Sequence, residues 1–285
     1  MHLEHNTKVF EILRQHTFFV KANKSTFGQS ELEYLGHIVT NKGVKVDSSK
    51  IIAMVNWPRP STISDLRGFL GLTGYYRKFV RNYGLLAKPL TNLLKKGQFR
   101  WSQEVEAAFL QLKQAMTTIP ILAMPNFNES FTIETDASGE GIGAVLTQQG
   151  KPIAFLSRAL EVAKLSWSIY AKEMLAILQA IRTWRPYLLG KKFFIQMDQR
   201  SLKYLLEQRI GTPEQQRWVA KLLGYDYEII YHPGRDNSAA DALSRVSGSP
   251  ILNALFVPQV SLWEDIKKGL HWTPIYGTNY SASSN

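Results

Sequence analysis

From residue 129 the chain takes on a pattern that few folds accommodate. Three short apolar segments, FTIETD, GIGAVLTQ and PIAFLSRAL, follow one another closely. Their length and spacing predict three consecutive strands. Gly139, Gly141 and Gly143 fall where tight turns are expected between the first two. A long helix is expected over about 168–189, with Leu175, Leu178, Ile181 and Leu188 among its apolar positions. FFIQMD predicts a fourth strand and YEIIYH a fifth. Helices are expected over SLKYLLEQ, PEQQRWVAKLLG and NSAADALSR. The order βββ-α-β-α-α-β-α predicts an α/β fold, a five-stranded mixed sheet with flanking helices.

The preceding part reads differently. Residues 3–16 carry Leu3, Val9, Ile12 and Leu13 at helical spacing, and FFVKANKSTF reads as extended. ELEYLGHIVT and VKVD predict two strands around an Asn-Lys-Gly turn. WPRP breaks the chain, and Thr62 with Asp65 imitates a capping box for a helix carrying Leu66, Phe69, Leu70, Thr73 and Tyr76. Further helices are expected over Leu85–Lys95 and, behind the N-cap Ser102, over Gln103–Met116. From Val246 onward the sequence is punctuated by Ser, Pro and Gly and reads as a linker or frayed end. These shifts divide the chain at 1–47, 48–100, 101–124, 125–248 and 249–285.

Four acids stand out against this framework. Asp136 and Asp198 end strands one and four, Glu173 lies in the first turns of the long helix, and Asp241 opens the last helix. If strands one and four are neighbours, their ends bring two carboxylates together. Carboxylates so crowded cannot all ionise without cations. Mg²⁺, with Mn²⁺ as a substitute, prefers such hard oxygen ligands. Two ions about 4 Å apart activate water and stabilise the departing 3′ oxygen in phosphodiester hydrolysis. One Asp after a strand is ordinary turn chemistry; four acids in this order of elements point to a two-metal nuclease. Glu134 faces the same side as Asp136 and is read as a rim or ion-pair residue.

The net charge of +11 is uneven, with +9 over residues 1–125 and only +2 over 126–248. That asymmetry suggests a polyanionic partner, a solubilising surface being the alternative. At 45% hydrophobic residues the chain can bury a core, and with no Cys it has neither disulfides nor a thiolate metal site. No apolar run approaches a membrane span and the first residues do not read as a signal peptide, so a cytoplasmic or nuclear setting without a membrane partner is expected.

TDAS, YAKEMLAI, WRPYLLG, the D-x-x-S-L-K-x-L from Asp198 and ADALSR resemble the RNase H domain of gypsy-type LTR-retrotransposon Pol polyproteins, especially plant ones. Upstream, FGQSELEYLGHIVTNKGVKVD, DLRGFLGLTGYYRKFVRNY and FRWSQEVEAAFLQLKQAM are similar to the end of the palm and the thumb of the same reverse transcriptase. The resemblance implies a palm-remnant hairpin, an α-helical thumb-like segment and an RNase H-like domain. It implies that Asp136, Glu173, Asp198 and Asp241 hold the metal ions and that the RNA strand of an RNA–DNA hybrid is cut. Ser138, Arg158 and Gln199 are then candidate substrate contacts near the acids, and Arg67, Arg77, Lys78, Arg81 and Lys88 candidate phosphate contacts. Tyr34, Leu35, Gly36 and His37 resemble the primer grip. Tyr75 and Tyr76 are expected to pack rather than to stack on bases. Other Pol segments or a second reverse transcriptase subunit are implied partners.

The sequence departs from the family in having no Asp-Asp pair, its first Asp being Asp47. A reverse transcriptase needs a Tyr-x-Asp-Asp hairpin, so DNA synthesis by this chain alone is not expected. Met197 and Gln199 stand where the family commonly has Thr and His. The competing reading is a non-catalytic retroelement relic that folds and binds nucleic acid; the four intact acids favour the nuclease.

Overall fold

In the computed structural model, residues 2–197 and 213–231 are described. Helix α1 (His2–Gln15) forms as its spacing predicts, but Leu3, Val9, Phe10 and Ile12 stay exposed. Strands β1 (Glu31–Tyr34), β2 (His37–Thr40) and β3 (Gly43–Val46) then form an antiparallel sheet. The sequence pattern treated ELEYLGHIVT as one strand. The chain instead turns at Leu35 (φ 49°) and Gly36 (φ 73°). Gly36 is required there twice over, because a Cβ would also lie 2.7 Å from the Tyr76 hydroxyl.

Asp47 caps a helix the sequence reading missed, α2 (Ser48–Val55), its carboxylate accepting from the Ser49 N–H at 2.9 Å. The capping box at Thr62 and Asp65 is present and opens α3 (Ile63–Tyr75), which buries Leu66, Phe69 and Thr73. The single helix expected over Leu85–Lys95 is two short ones, α4 (Tyr83–Leu86) and α5 (Lys88–Asn92). Pro89 explains the break: it cannot continue a helix but fits the first turn of a new one. Ser102 caps α6 (Gln103–Thr117), whose Phe109 ring packs 4.7 Å from that of Phe69.

The second half is the expected α/β unit. It contains β4 (Thr132–Ala137), β5 (Gly141–Gln148), β6 (Lys151–Ala159), α7 (Val162–Leu165), α8 (Ile169–Leu188) and β7 (Phe193–Met197). A helix over Pro213–Leu222 and β8 (Tyr227–Tyr231) complete the described part. The sheet order is β6-β5-β4-β7-β8, antiparallel in β4–β5–β6 and parallel in β4–β7–β8. The first and fourth strands are therefore neighbours, with Glu134 opposite Gln196. The helices expected over SLKYLLEQ and NSAADALSR lie outside the described residues.

One sheet face carries Ile133, Ala144, Leu146, Phe193 and Ile195 and is covered by Met174, Ile177, Ile181 and Trp184 of α8. That helix bends at Trp184, two residues before Pro186. On the other face Val145 and Phe155 join a core with Phe79, Leu90 and Phe109 of the front half. Burial on both faces explains why every residue of β5 is buried. Gly141 and Gly143 lie within β5 rather than in the turn expected of them. A Cβ at Gly141 would meet the Leu85 side chain at 2.8 Å, and one at Gly84 would meet the Ser157 carbonyl oxygen at 2.5 Å. Both glycines let α4 approach the sheet.

Candidate active site

Asp136 lies near the end of β4 and is buried, with only 4% of its surface exposed. Glu173 sits in the second turn of α8 and is 2% exposed. The Ser168 hydroxyl caps this helix by accepting from the Ala171 N–H at 3.2 Å, which fixes where its first turns begin. The Ala137 N–H donates to Glu173 Oε1 at 2.8 Å. A carboxylate from the helix is thereby held against the peptide that follows Asp136. Two buried acids on different elements, far apart along the chain, meet at one end of the central strand.

Burying two acids together is costly unless positive charge or donors offset it. Their oxygens are the hard donors that Mg²⁺ and Mn²⁺ select, so the residues present fit a divalent cation. Among the described residues no group of three or more His, Cys, Asp or Glu side chains is gathered for a metal. Asp198 and Asp241, the other two acids singled out in the sequence, lie outside the described residues, as does Gln199. Glu134 lies on the Asp136 side of β4 and accepts from the Thr147 hydroxyl at 3.3 Å.

Sequence reasoning passed over Lys172. It is 5% exposed, and its ammonium donates to the Leu165 carbonyl at 2.8 Å and the Gly139 carbonyl at 3.2 Å. It thus ties the turn after Asp136 to the end of α7. A lysine near a helix N-terminus opposes the helix dipole, which was the available signal. Replacing Lys172 by Met is expected to destabilise the fold by about 1–3 kcal/mol, because two carbonyls lose their donor. Urea unfolding measures this; an unchanged midpoint would mean that other groups satisfy those carbonyls.

The remaining expected contacts separate. Ser138 closes the β4–β5 turn, its hydroxyl accepting from the N–H groups of Glu140 and Gly141 and donating to the Gly141 carbonyl. Arg158 is exposed on β6 and donates to Gln179 Oε1 at 2.9 Å. Arg77 and Lys78, from the turn after α3, line the same cleft as Arg158. Arg81 lies over the Phe155 ring at 5.3 Å, while Arg67 is exposed on α3. Lys88 begins α5. Tyr34 and Leu35 are exposed at the β1–β2 turn. The turn is held down from α3: Tyr75 donates to the Leu35 carbonyl at 2.9 Å and Tyr76 to the Gly36 carbonyl at 3.1 Å. His37 stacks on the Tyr75 ring, and burial followed by the Lys78 charge holds its pKa below the ordinary value. Tyr76 is buried as expected; Tyr75 is half-exposed.

Comparison with known proteins bears on the chain and its fold. Residues 101–195 match the family described as the RNase H-like domain found in reverse transcriptase, a match that takes in α6, strands β4 to β6, α8 and the start of β7. The chain is 42% identical over 247 residues to the retrovirus-related Pol polyprotein from transposon 297 of Drosophila melanogaster, covering 86% of this chain and 23% of that protein. It is 32% identical over 268 residues to the Pol polyprotein from transposon gypsy of the same organism, covering 89% and 26%. Similarity to the transposon Tf2-3 polyprotein of Schizosaccharomyces pombe is 33% over 284 residues, covering 93% and 21%. The chain thus spans about a quarter of the length of the curated relatives it matches. In fold it is similar to the foamy viral protease-reverse transcriptase. The TM-score is 0.73 for the dRH form with double-stranded DNA, at 22% identity over 81% of this chain and 43% of that one. For the complex with an RNA/DNA hybrid the TM-score is 0.71, at 22% identity over 81% and 33%. The fold is RNase H-like. Among the described residues no helix is long and apolar enough to cross a membrane.

Proposed function

We propose, from the premise that this chain carries the RNase H-like domain of the retrotransposon Pol polyproteins, that its buried acids form a nuclease centre cutting the RNA strand of an RNA–DNA hybrid. The observation that carries this reading is the Glu173 carboxylate held on the Ala137 N–H, beside Asp136. Asp198 follows Met197 directly in the chain, and β7 pairs in parallel with β4. We assign Asp198 and Asp241 to the same centre.

Asp136, Glu173, Asp198 and Asp241 are the residues that would hold two Mg²⁺ ions. When bound, such ions offset the acids' charge, lower the pKa of attacking water and stabilise the leaving 3′ oxygen, giving 5′-phosphate and 3′-hydroxyl ends. The chain's own contribution is preorganisation. The Ala137 N–H fixes the Glu173 carboxylate, and the β4–β5 turn is closed by Ser138 and tied down by Lys172. Hybrid as the substrate agrees with the kinship to reverse transcriptases, since DNA copied on RNA is a hybrid. It agrees too with the positive charge concentrated in residues 1–125. A-form-like duplexes are read through backbone and 2′-hydroxyls, so little sequence preference is expected.

Hybrids labelled on the RNA or on the DNA strand test this reading. Cleavage confined to RNA, abolished by EDTA and restored by Mg²⁺ or Mn²⁺, is the expected result. Equal cleavage of both strands, or activity that persists in EDTA, contradicts it.

A further inference from the structure

Three cations from two segments far apart in the sequence converge in a single cleft of about 400 Å³. Arg77 and Lys78 come from the turn after α3, and Arg158 from the edge strand β6. Trp184 and Tyr187 of α8 form part of its wall, and no Asp or Glu is among its lining residues. The junction is tightly built, since α4 lies close enough to β6 that Gly84 has no room for a Cβ. Lys78 rests over the Phe79 ring at 5.2 Å, and shielding from water lowers its pKa. Its charge is still felt at His37, whose pKa it helps to lower. Concentrated positive charge against low-dielectric walls attracts an anion strongly.

Strand register fixes where this cleft lies. Asp136 pairs with Gly143, and Gly143 with Ser157, which also lines the cleft. Two inter-strand spacings separate the cleft's β6 wall from Asp136, about 10 Å. A strand bound at the acids is therefore within reach of these cations.

We propose that this cleft is a second nucleic-acid contact, gripping a phosphodiester backbone beside the acid centre through Arg77, Lys78 and Arg158. The proposal rests on the nuclease reading only for the identity of the duplex. It assigns to one side of the sheet a grip that acts on binding and register, while Asp136 and Glu173 act on hydrolysis.

The test is binding of a fluorescent RNA–DNA hybrid to the full chain in EDTA, where no hydrolysis is expected, across a salt series. The double variant Arg77→Gln, Lys78→Gln is expected to bind about tenfold more weakly, with a salt slope shallower by about 2. Arg158→Gln is expected to weaken binding about threefold. Melting temperatures matching the parent confirm that each variant is folded, and these side chains are exposed enough to be replaced without disturbing the core. Unchanged affinity and salt slope in the folded double variant would overturn the proposal. So would saturation of the cleft by inorganic phosphate or adenosine monophosphate without displacement of the hybrid, which marks a free-anion site. A parent that cuts nothing yet shows these binding losses would sink the nuclease reading and leave the grip standing.

Discussion

Changing Glu173 to Gln is expected to lower hydrolysis of the hybrid by about three orders of magnitude, some 4 kcal/mol in the barrier. The variant separates charge from position. A glutamine amide oxygen can still accept from the Ala137 N–H, so the side chain keeps its anchor. What it loses is the negative charge that would hold a cation and support the developing charge at the scissile phosphate. Stability should change little, because taking a charge out of a buried site relieves its desolvation cost. Hybrid binding in EDTA should also be retained. Glu173→Ala is a poorer probe, since it removes the anchor as well and leaves the Ala137 N–H without that acceptor. Activity within tenfold of the parent in a folded Glu173→Gln protein would exclude Glu173 from the centre.

The largest effect on stability is expected at Phe69, whose replacement by Ala should cost about 3–5 kcal/mol. Phe69 is fully buried and lies between Trp57, at 6.1 Å between ring centroids, and Phe109, at 4.7 Å. Its core also includes Val145 and Phe155 from the sheet. Loosening this core is therefore expected to uncover the second sheet face and to lower hydrolysis indirectly. Chemical denaturation followed by fluorescence reads the loss directly. A cost below about 1 kcal/mol would mean that the front half contributes little to holding the sheet.

These two sites also show how far the sequence could be read. Local signals were reliable where a side chain acts on its own backbone: Thr62 with Asp65 and Ser102 cap the helices they were expected to open. The strands around Asp136 were legible from their apolar runs. The turn at Leu35 and Gly36 was not, because leucine rarely adopts a positive φ and carries no turn signal. Helix α2 was missed since SSKIIAMV is short and its apolar run is compatible with either strand or helix. Which elements cover the second sheet face is a property of packing at Gly84 and Gly141, invisible to periodicity.

The acids themselves were legible as residues but not as a site. The sequence put Asp136 on a strand and Glu173 on a helix, and adjacency of the first and fourth strands was a condition rather than a deduction. The parallel pairing of β4 with β7 meets that condition, and the Ala137 N–H joins the two elements at the acids. The role of Lys172 depended on carbonyls supplied by the turn at Gly139 and by Leu165 at the end of α7, which no spacing rule anticipates.

The most direct test of the central claim compares the full chain with its Asp198→Asn variant on an end-labelled RNA–DNA hybrid in Mg²⁺. The account predicts RNA fragments ending in 3′-hydroxyls from the parent and none above background from the variant, with both proteins equally folded. No cleavage by the folded parent, as a non-catalytic relic would show, or equal cleavage by parent and variant, would contradict it.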